Sequence, residues 1–253
     1  MENNLLIGLS RQVALQRELD VIANNMANLN TSGFKADGQI FQEHLMPVAR
    51  SDRFTGADRR LSFVLDRATW HDLSQGTVQQ TGNPLDVAID GNAFLAVQAP
   101  QGERYTRNGA LQINGRGELV TSQGYRVVGE NGPILFQPGD RDIAISREGT
   151  ITVRQANNVA ESQRGKLRLV GFAQPEKLEK DGTTLFRPAG QAPQAAPTAG
   201  VIQGSLEKSN VSAVNQMTRM IDVTRTYQAV AGILQSEGDL RRTAIEKLAE
   251  VPA

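Results

Sequence analysis

Leu15, Leu19, Ile22, Met26 and Leu29 recur at steps of 4, 3, 4 and 3, the a/d spacing of a helix that lies along another helix. Leu5 and Leu9 extend the same side, and Gly33 stands where such a helix would end. The far end of the chain repeats the pattern. No proline interrupts Val211 to Leu248, and Met220, Val223, Tyr227, Val230 and Leu234 follow at steps of 3, 4, 3 and 4. A second row, Val214, Met217, Ile221 and Thr224, runs beside the first. A helix with apolar groups on two sides needs two neighbours. The two seams can pair with each other inside one chain, with the remaining apolar positions meeting other subunits.

Between the helices the pattern changes to period two. Runs such as LDVAID, AFLAV and KLRLVGF are separated by the turn pairs Asp90-Gly91, Asn114-Gly115, Asn131-Gly132, Pro138-Gly139 and Asp181-Gly182, which predicts an antiparallel domain rich in hairpins. No helical pattern intervenes there, so a doubly wound α/β fold is disfavoured. The predicted class is α+β, with long N- and C-terminal helices pairing as a coiled coil around a central antiparallel β domain and extended connectors. The divisions are a helix at 1–35, which forms an inner coiled-coil domain with 205–253; an extended connector at 36–80, where apolar and charged residues mix; a β domain at 81–187; and a linker at 188–204, rich in Pro, Ala and Gly.

One feature of the first helix does not suit an ordinary core. Asn24, Asn25, Asn28 and Asn30 crowd its last turns, although asparagine competes for backbone hydrogen bonds and is a mediocre helix former. In a crowded helical wall such amides would donate and accept across subunit boundaries.

Composition narrows the function. The 253 residues carry 27 basic and 27 acidic side chains, without the basic clusters that phosphate neutralisation requires, so no nucleic-acid partner is expected. With no cysteine, disulfides, zinc thiolates and thiol nucleophiles are excluded. Aromatics make up only 5% of the chain, a thin core for this length that suggests surfaces buried on assembly. The start MENNLLIGLSRQ lacks a basic n-region and a long apolar run, so no cleaved signal is expected, and no window is long enough to insert in a membrane.

Candidate chemistry is sparse. DRATWHDLS gathers Asp66, His71, Asp72 and Ser74 within nine positions but lacks the nucleophile and oxyanion context of a triad. His44 and His71 are the only histidines, and neither has metal-ligand spacing. NGRGE at 114–118 is better read as a hairpin turn than a phosphate loop. No enzyme, cofactor or metal is expected. A secreted carbohydrate-binding β protein is the alternative from another class, but the single Trp70 and three tyrosines make a poor sugar platform.

Four segments carry a resemblance. ANNMANLNTSGFK (23–35) resembles the ANNLANxxTxGFK signature of the flagellar rod and hook family, and QGTVQQTGNPLDVAIDGNAFLAV (75–97) is similar to its QGxxxxTGNxLDxAIxGxGFFxV. YTRNGALQINGRGELVTSQGYRVVG (105–129) and QGSLEKSNV (203–211) are similar to YTRxGxFxxxxxGxLVTxxGxxVxG and QGxLExSNV, and MTRMIDVTRTYQA follows in the last helix. The departures are Asn92-Ala93-Phe94-Leu95 where the family has Gly-x-Gly-Phe-Phe, and Met26 for a Leu.

Both ends of the chain are most similar to the proximal-rod branch, with the distal-rod or hook branches as alternatives. The resemblance implies a structural subunit of the basal-body rod in the periplasm, exported by the flagellar type III apparatus. It also implies assembly into a helical tube that transmits torque and encloses the export channel. Implied partners are other copies of the chain, the distal-rod and other proximal-rod proteins, the export apparatus and basal-body ring proteins. The expected assembly interface comprises Leu15, Leu19, Ile22, Asn24, Asn25, Met26, Asn28, Leu29, Gly33, Phe34 and Lys35 from the first segment, with Met220, Val223, Tyr227, Val230 and Leu234 from the last.

Overall fold

The computed structural model describes residues 2–47, 60–155 and 158–249. The chain divides into two compact units, one of residues 1–26, 37–70 and 212–253, the other of 27–36 and 71–211.

The first unit contains helix α1, Glu2–Ala27, and helix α2, Ala213–Ala249. Arg219 Nε lies 2.7 Å from Glu18 Oε1, and a Cβ placed on Gly8 would come 2.6 Å from Leu234 Cδ2. Residues 8 and 18 of α1 thus meet 234 and 219 of α2, so the helices run antiparallel. Burial follows the predicted seams. Ile22 and Val223 are buried, while Leu15, Leu19, Met26, Met220, Tyr227, Val230 and Leu234 are half-buried. Leu9, placed on the seam side by spacing alone, is instead exposed, as is Val13; Ala14 takes the buried position. The side chain of Leu5 lies outside the described residues. On α2 the second row stays open, with Val214, Met217 and Ile221 exposed.

The same unit holds a two-stranded ribbon, Asp37–Pro47 paired with Arg60–His71. These residues fall in the predicted connector. Their mixture of apolar and charged residues has no clean period of two, which is why the pattern did not announce strands. Among the described residues, no helix is long and apolar enough to cross a membrane.

The second unit is built from antiparallel strands. Its largest sheet, of ten strands, centres on Phe94–Ala99, which pairs with Gly102–Thr106 and with Arg126–Gly129. A three-stranded sheet joins Asp140–Ile145, Thr150–Gln155 and Asn158–Lys166. The hairpin expected at NGRGE forms between Leu111–Ile113 and Leu119–Thr121. Asn114 Oδ1 accepts from the amides of Arg116 and Glu118 at 2.9 and 3.0 Å, and Gly117, at φ 80°, supplies the left-handed residue. Val87, Ile89, Leu95, Val97, Leu119, Ile151 and Leu167 form the main core. A smaller cluster stacks Phe94 edge-on to Phe186 and Phe172, with ring centroids 5.6 and 5.9 Å apart.

Two ladders bring the late part of the chain back to the early part. Gly200–Gln203, from the end of the predicted linker, pairs with Val87–Asp90. Ser205–Glu207 pairs with Val78–Gln80. The second ladder sets up the site below.

Candidate assembly interface and its buried clasp

The asparagine-rich end of α1 divides its amides between two tasks. Asn25 is buried, and its side chain reads both backbone groups of Asp37: Nδ2 donates to the carbonyl at 2.8 Å and Oδ1 accepts from the amide at 2.9 Å. That pair of bonds fixes the first residue of the ribbon. Asn28 is buried too, and its Oδ1 accepts from the Thr31 hydroxyl at 3.1 Å. Asn24 and Asn30 remain at the surface. Leu29 is half-buried.

Gly33 turns the chain at φ 70°. A Cβ there would collide with the backbone of Arg107 and Asn108, so both the conformation and the space demand glycine. Its amide donates to Glu207 O at 2.8 Å. Phe34 is fully buried, and Lys180 Nζ lies 3.8 Å from its ring centroid while donating to Lys35 O at 2.9 Å. The cation sits over the negative face of the ring.

Lys35 is the centre of the arrangement. Its side chain is wholly buried, and Nζ donates to Ser74 O at 2.6 Å and to Glu207 Oε1 at 2.5 Å. Glu207 is buried as well; its Oε1 also accepts from the Gly76 amide at 2.9 Å, and its Oε2 accepts from Arg107 Nε at 2.8 Å. The rest of the Arg107 guanidinium donates to the carbonyls of Gly91, Ala93 and Ile89 at 2.9, 3.1 and 3.2 Å. Two cations therefore share one carboxylate, with backbone oxygens taking up the remaining donors. Burial pushes the Lys35 ammonium below its ordinary pKa; Glu207 opposes that shift, and the neighbouring Arg107 charge adds to it.

A neutral layer closes the clasp. Asn210 Oδ1 accepts from the Ala36 amide at 2.8 Å, and its Nδ2 donates to Asp72 O at 2.8 Å.

This cluster is suited to holding segments together and not to chemistry. Its charged groups are buried and hydrogen-bonded, and such networks fix one arrangement of the backbone. The residues of DRATWHDLS contribute to it structurally: Ser74 lends its carbonyl to Lys35, Asp72 Oδ1 accepts from the Ser74 amide at 2.9 Å, and His71 packs edge-on against Phe186 at 5.9 Å. The side chains of Asp66 and His44 lie outside the described residues. Among the described residues no group of His, Asp or Glu is gathered to hold a metal.

The predicted site residues thus fall into two groups. Ile22 and Val223 are buried and Leu15, Leu19, Met26, Met220, Tyr227, Val230 and Leu234 half-buried on the two helices, whereas Gly33, Phe34 and Lys35 belong to the clasp. Arg107, Glu207 and Asn210 were not singled out by the sequence. All three lie inside segments that carry the family resemblance, YTRNG and QGSLEKSNV, but no spacing or pattern marks them individually.

Three family models match the chain. The model described as "Flagella basal body rod protein" covers residues 5–35, "Flagellar hook protein FlgE/F/G D1 domain" covers 88–153, and "Flagellar basal body rod FlgEFG protein C-terminal" covers 202–247. Over its whole length, the flagellar basal-body rod protein FlgF of Caulobacter vibrioides is 37% identical to 99% of this chain. The chain belongs to the flagellar basal-body rod protein family. Other rod proteins are also similar. FlgF of Mesorhizobium japonicum is 32% identical, with 98% of each chain covered, and FlgG of Buchnera aphidicola is 33% identical over 85% of this chain and 88% of its own. Rod proteins are structural, so the chain is a structural subunit of the basal-body rod and not an enzyme. The clasp has a particular place in the family's plan: Lys35, Arg107 and Glu207 come one each from the three matched segments and meet at a single carboxylate.

Proposed function

We propose that the chain is a subunit of the proximal part of the rod, assembling with copies of itself and with neighbouring rod proteins into a helical tube in the periplasm. In this reading α1 and α2 pair as a coiled coil in the inner layer of the tube, around the channel through which export substrates pass. The tube transmits torque from motor to hook. The subunit reaches its place through the type III export apparatus, and basal-body ring proteins contact its outer surface.

The observation that supports the reading is the one-sided burial of α2. Its first row is buried or half-buried, with Leu234 against Gly8 of α1, while Val214, Met217 and Ile221 stay exposed along a second row. Such a helix has satisfied one neighbour and is complementary to another. Head-to-tail contacts of one surface with a different surface build open helices, which suits a rod. The exposed amides of Asn24 and Asn30 add polar specificity to the same contacts.

Electron cryomicroscopy of purified basal bodies tests this. Density for the Asn24–Lys35 segment in the proximal rod, with α2 of one subunit against a neighbour's helix, is the expected result. Similarity to relatives named FlgG makes the distal rod the second reading, and density there would move the part without changing its assembly. Absence from the whole axial structure would overturn the proposal.

A further inference from the structure

Glycine follows asparagine at three places, Asn108-Gly109, Asn114-Gly115 and Asn131-Gly132. Such a pair readily loses the side-chain amide, because the glycine nitrogen has no neighbouring side chain to keep it from the asparagine Cγ. The reaction also needs a side chain free to turn onto its own backbone and a backbone free to bring the nitrogen in, so the fold decides which pair reacts. Asn108 is buried, and its Oδ1 accepts from the Ala110 amide at 3.1 Å. A Cβ placed on Gly109 would come 1.7 Å from Val87 O, so this backbone has no room to move. Asn114 is held through both atoms of its amide: Oδ1 accepts from the amides of Arg116 and Glu118, and Nδ2 donates to Glu118 Oε2 at 2.8 Å. Asn131 has neither restraint. It is exposed, its side chain has no hydrogen-bond partner among the described residues, and open space surrounds Gly132. The turn is closed by only two residue pairs, Gly132 with Gly129 and Pro133 with Val128, and proline donates nothing to a ladder. So short a ladder opens locally at little cost.

We infer that Asn131 is a site of self-modification, converted to aspartate and isoaspartate in the folded protein through a cyclic imide. The Gly132 nitrogen attacks Asn131 Cγ and gives up its proton as the new C–N bond forms. The side-chain nitrogen takes up a proton and leaves as ammonia. Water then opens the ring. Hydrolysis at Cγ restores the original backbone with an aspartate side chain, whereas hydrolysis at the backbone carbonyl carbon leaves the chain running through the side chain as isoaspartate. Each event adds one negative charge next to Glu130, whose Oε1 lies 2.8 Å from Lys166 Nζ, and the isoaspartyl form lengthens the turn by a methylene. Neither Asn131 nor Gly132 enters the clasp or the helix seams, so the protein accumulates a more acidic form with age while its fold is kept.

The test is to age the purified full-length protein at neutral and mildly alkaline pH and to follow each Asn-Gly pair by peptide mass spectrometry, with isoaspartate counted by an isoaspartate-specific methyltransferase. In the folded protein Asn131 should convert at least about tenfold faster than Asn108 or Asn114, give both products, and speed up as pH rises and the attacking nitrogen loses its proton more readily. In urea the three pairs should react at comparable rates, which separates protection by the fold from the intrinsic reactivity of each sequence. Asn131→Gln should remove the acidic form from ion-exchange profiles without shifting the melting temperature, because a glutamine would have to close a larger and slower ring. Equal rates at the three pairs in the folded protein would overturn the inference, as would conversion led by Asn108 or Asn114. So would an Asn131 that reacts only in urea, or one that yields aspartate with no isoaspartate.

Discussion

Lys35 Nζ and Glu207 Oε1 lie 2.5 Å apart, although 172 positions separate the two residues in the sequence, and neither side chain is exposed to solvent. The ion pair closes the second unit on itself: it binds the segment leaving α1 to the segment entering α2, with Arg107 from the sheet between them.

Removing the shared carboxylate should therefore be severe. Glu207→Ala leaves Lys35 and Arg107 as two buried cations with no anion, and we expect a loss of about 3–5 kcal/mol of stability in urea or guanidinium unfolding. The Glu18–Arg219 pair provides the contrast. Arg219 is more than half exposed, so Arg219→Ala should cost less than about 1 kcal/mol in the same measurement. Equal effects from both variants would mean that the clasp is not a buried charge network.

Two glycines should respond in opposite directions to the same change. Gly33→Ala forces a side chain into a left-handed residue that backs onto the Arg107–Asn108 backbone, and a loss of about 1–3 kcal/mol is expected. Gly232, inside α2, has open space where a Cβ would go, so Gly232→Ala should gain about 0.5–1 kcal/mol. Thermal unfolding of the purified protein reads both.

The two rows of α2 should separate folding from assembly. Val230 is half-buried toward the helix pair and Met217 is exposed. Val230→Asp should reduce helicity and stability of the isolated chain. Met217→Asp should leave its circular dichroism and melting temperature nearly unchanged but prevent incorporation into basal bodies and swimming. A motile Met217→Asp strain would remove the second row from the interface.

Acid should loosen the three-stranded sheet first. A hydrogen bond from the Arg164 guanidinium holds the Asp140 carboxyl below its ordinary pKa, against the opposing effect of burial; the two side chains are 2.6 Å apart. Because the folded-state pKa is depressed, the unfolded state binds more protons as pH falls. The contribution of this pair is fully present above the ordinary carboxylate range and is lost as pH drops through the folded value. Hydrogen exchange of amides in Thr150–Gln155, followed downward from pH 5, should show that loss, and Arg164→Ala should flatten this part of the pH dependence.

How legible these features were in the sequence depends on the range over which each is encoded. The helix seams rest on steps of three and four residues, so Ile22 and Val223 declared their burial directly. The hairpin at Asn114–Glu118 was equally local. The ribbon was not legible, because IFQEHLMP and RLSFVLDRATWH mix charge and apolar character without a period. The clasp left the weakest trace. No spacing links Lys35, Arg107 and Glu207 along the chain; the ladder between Ser205–Glu207 and Val78–Gln80 places Glu207, and the backbone bond from Gly33 to Glu207 brings Lys35 beside it. Asparagine was legible as an anomaly but not in its destination: Asn25 was expected to face another subunit, and the structure turns it onto Asp37.

The closure at Gly33 and Glu207 also has a meaning for how such a chain can diverge. The Gly33 amide bonds to the Glu207 carbonyl and the Ala36 amide to Asn210, so the strands between residues 71 and 205 hang from a fastening whose two sides already touch. Hairpins in that region outside Ser74–Gln80 and Ile89–Arg107, which themselves hold the fastening, can lengthen or shorten without altering the separation of its two sides. The chain behaves as a fixed socket carrying an interchangeable head: natural variation in the size of the head, and engineered insertions at its exposed turns, should leave the socket intact.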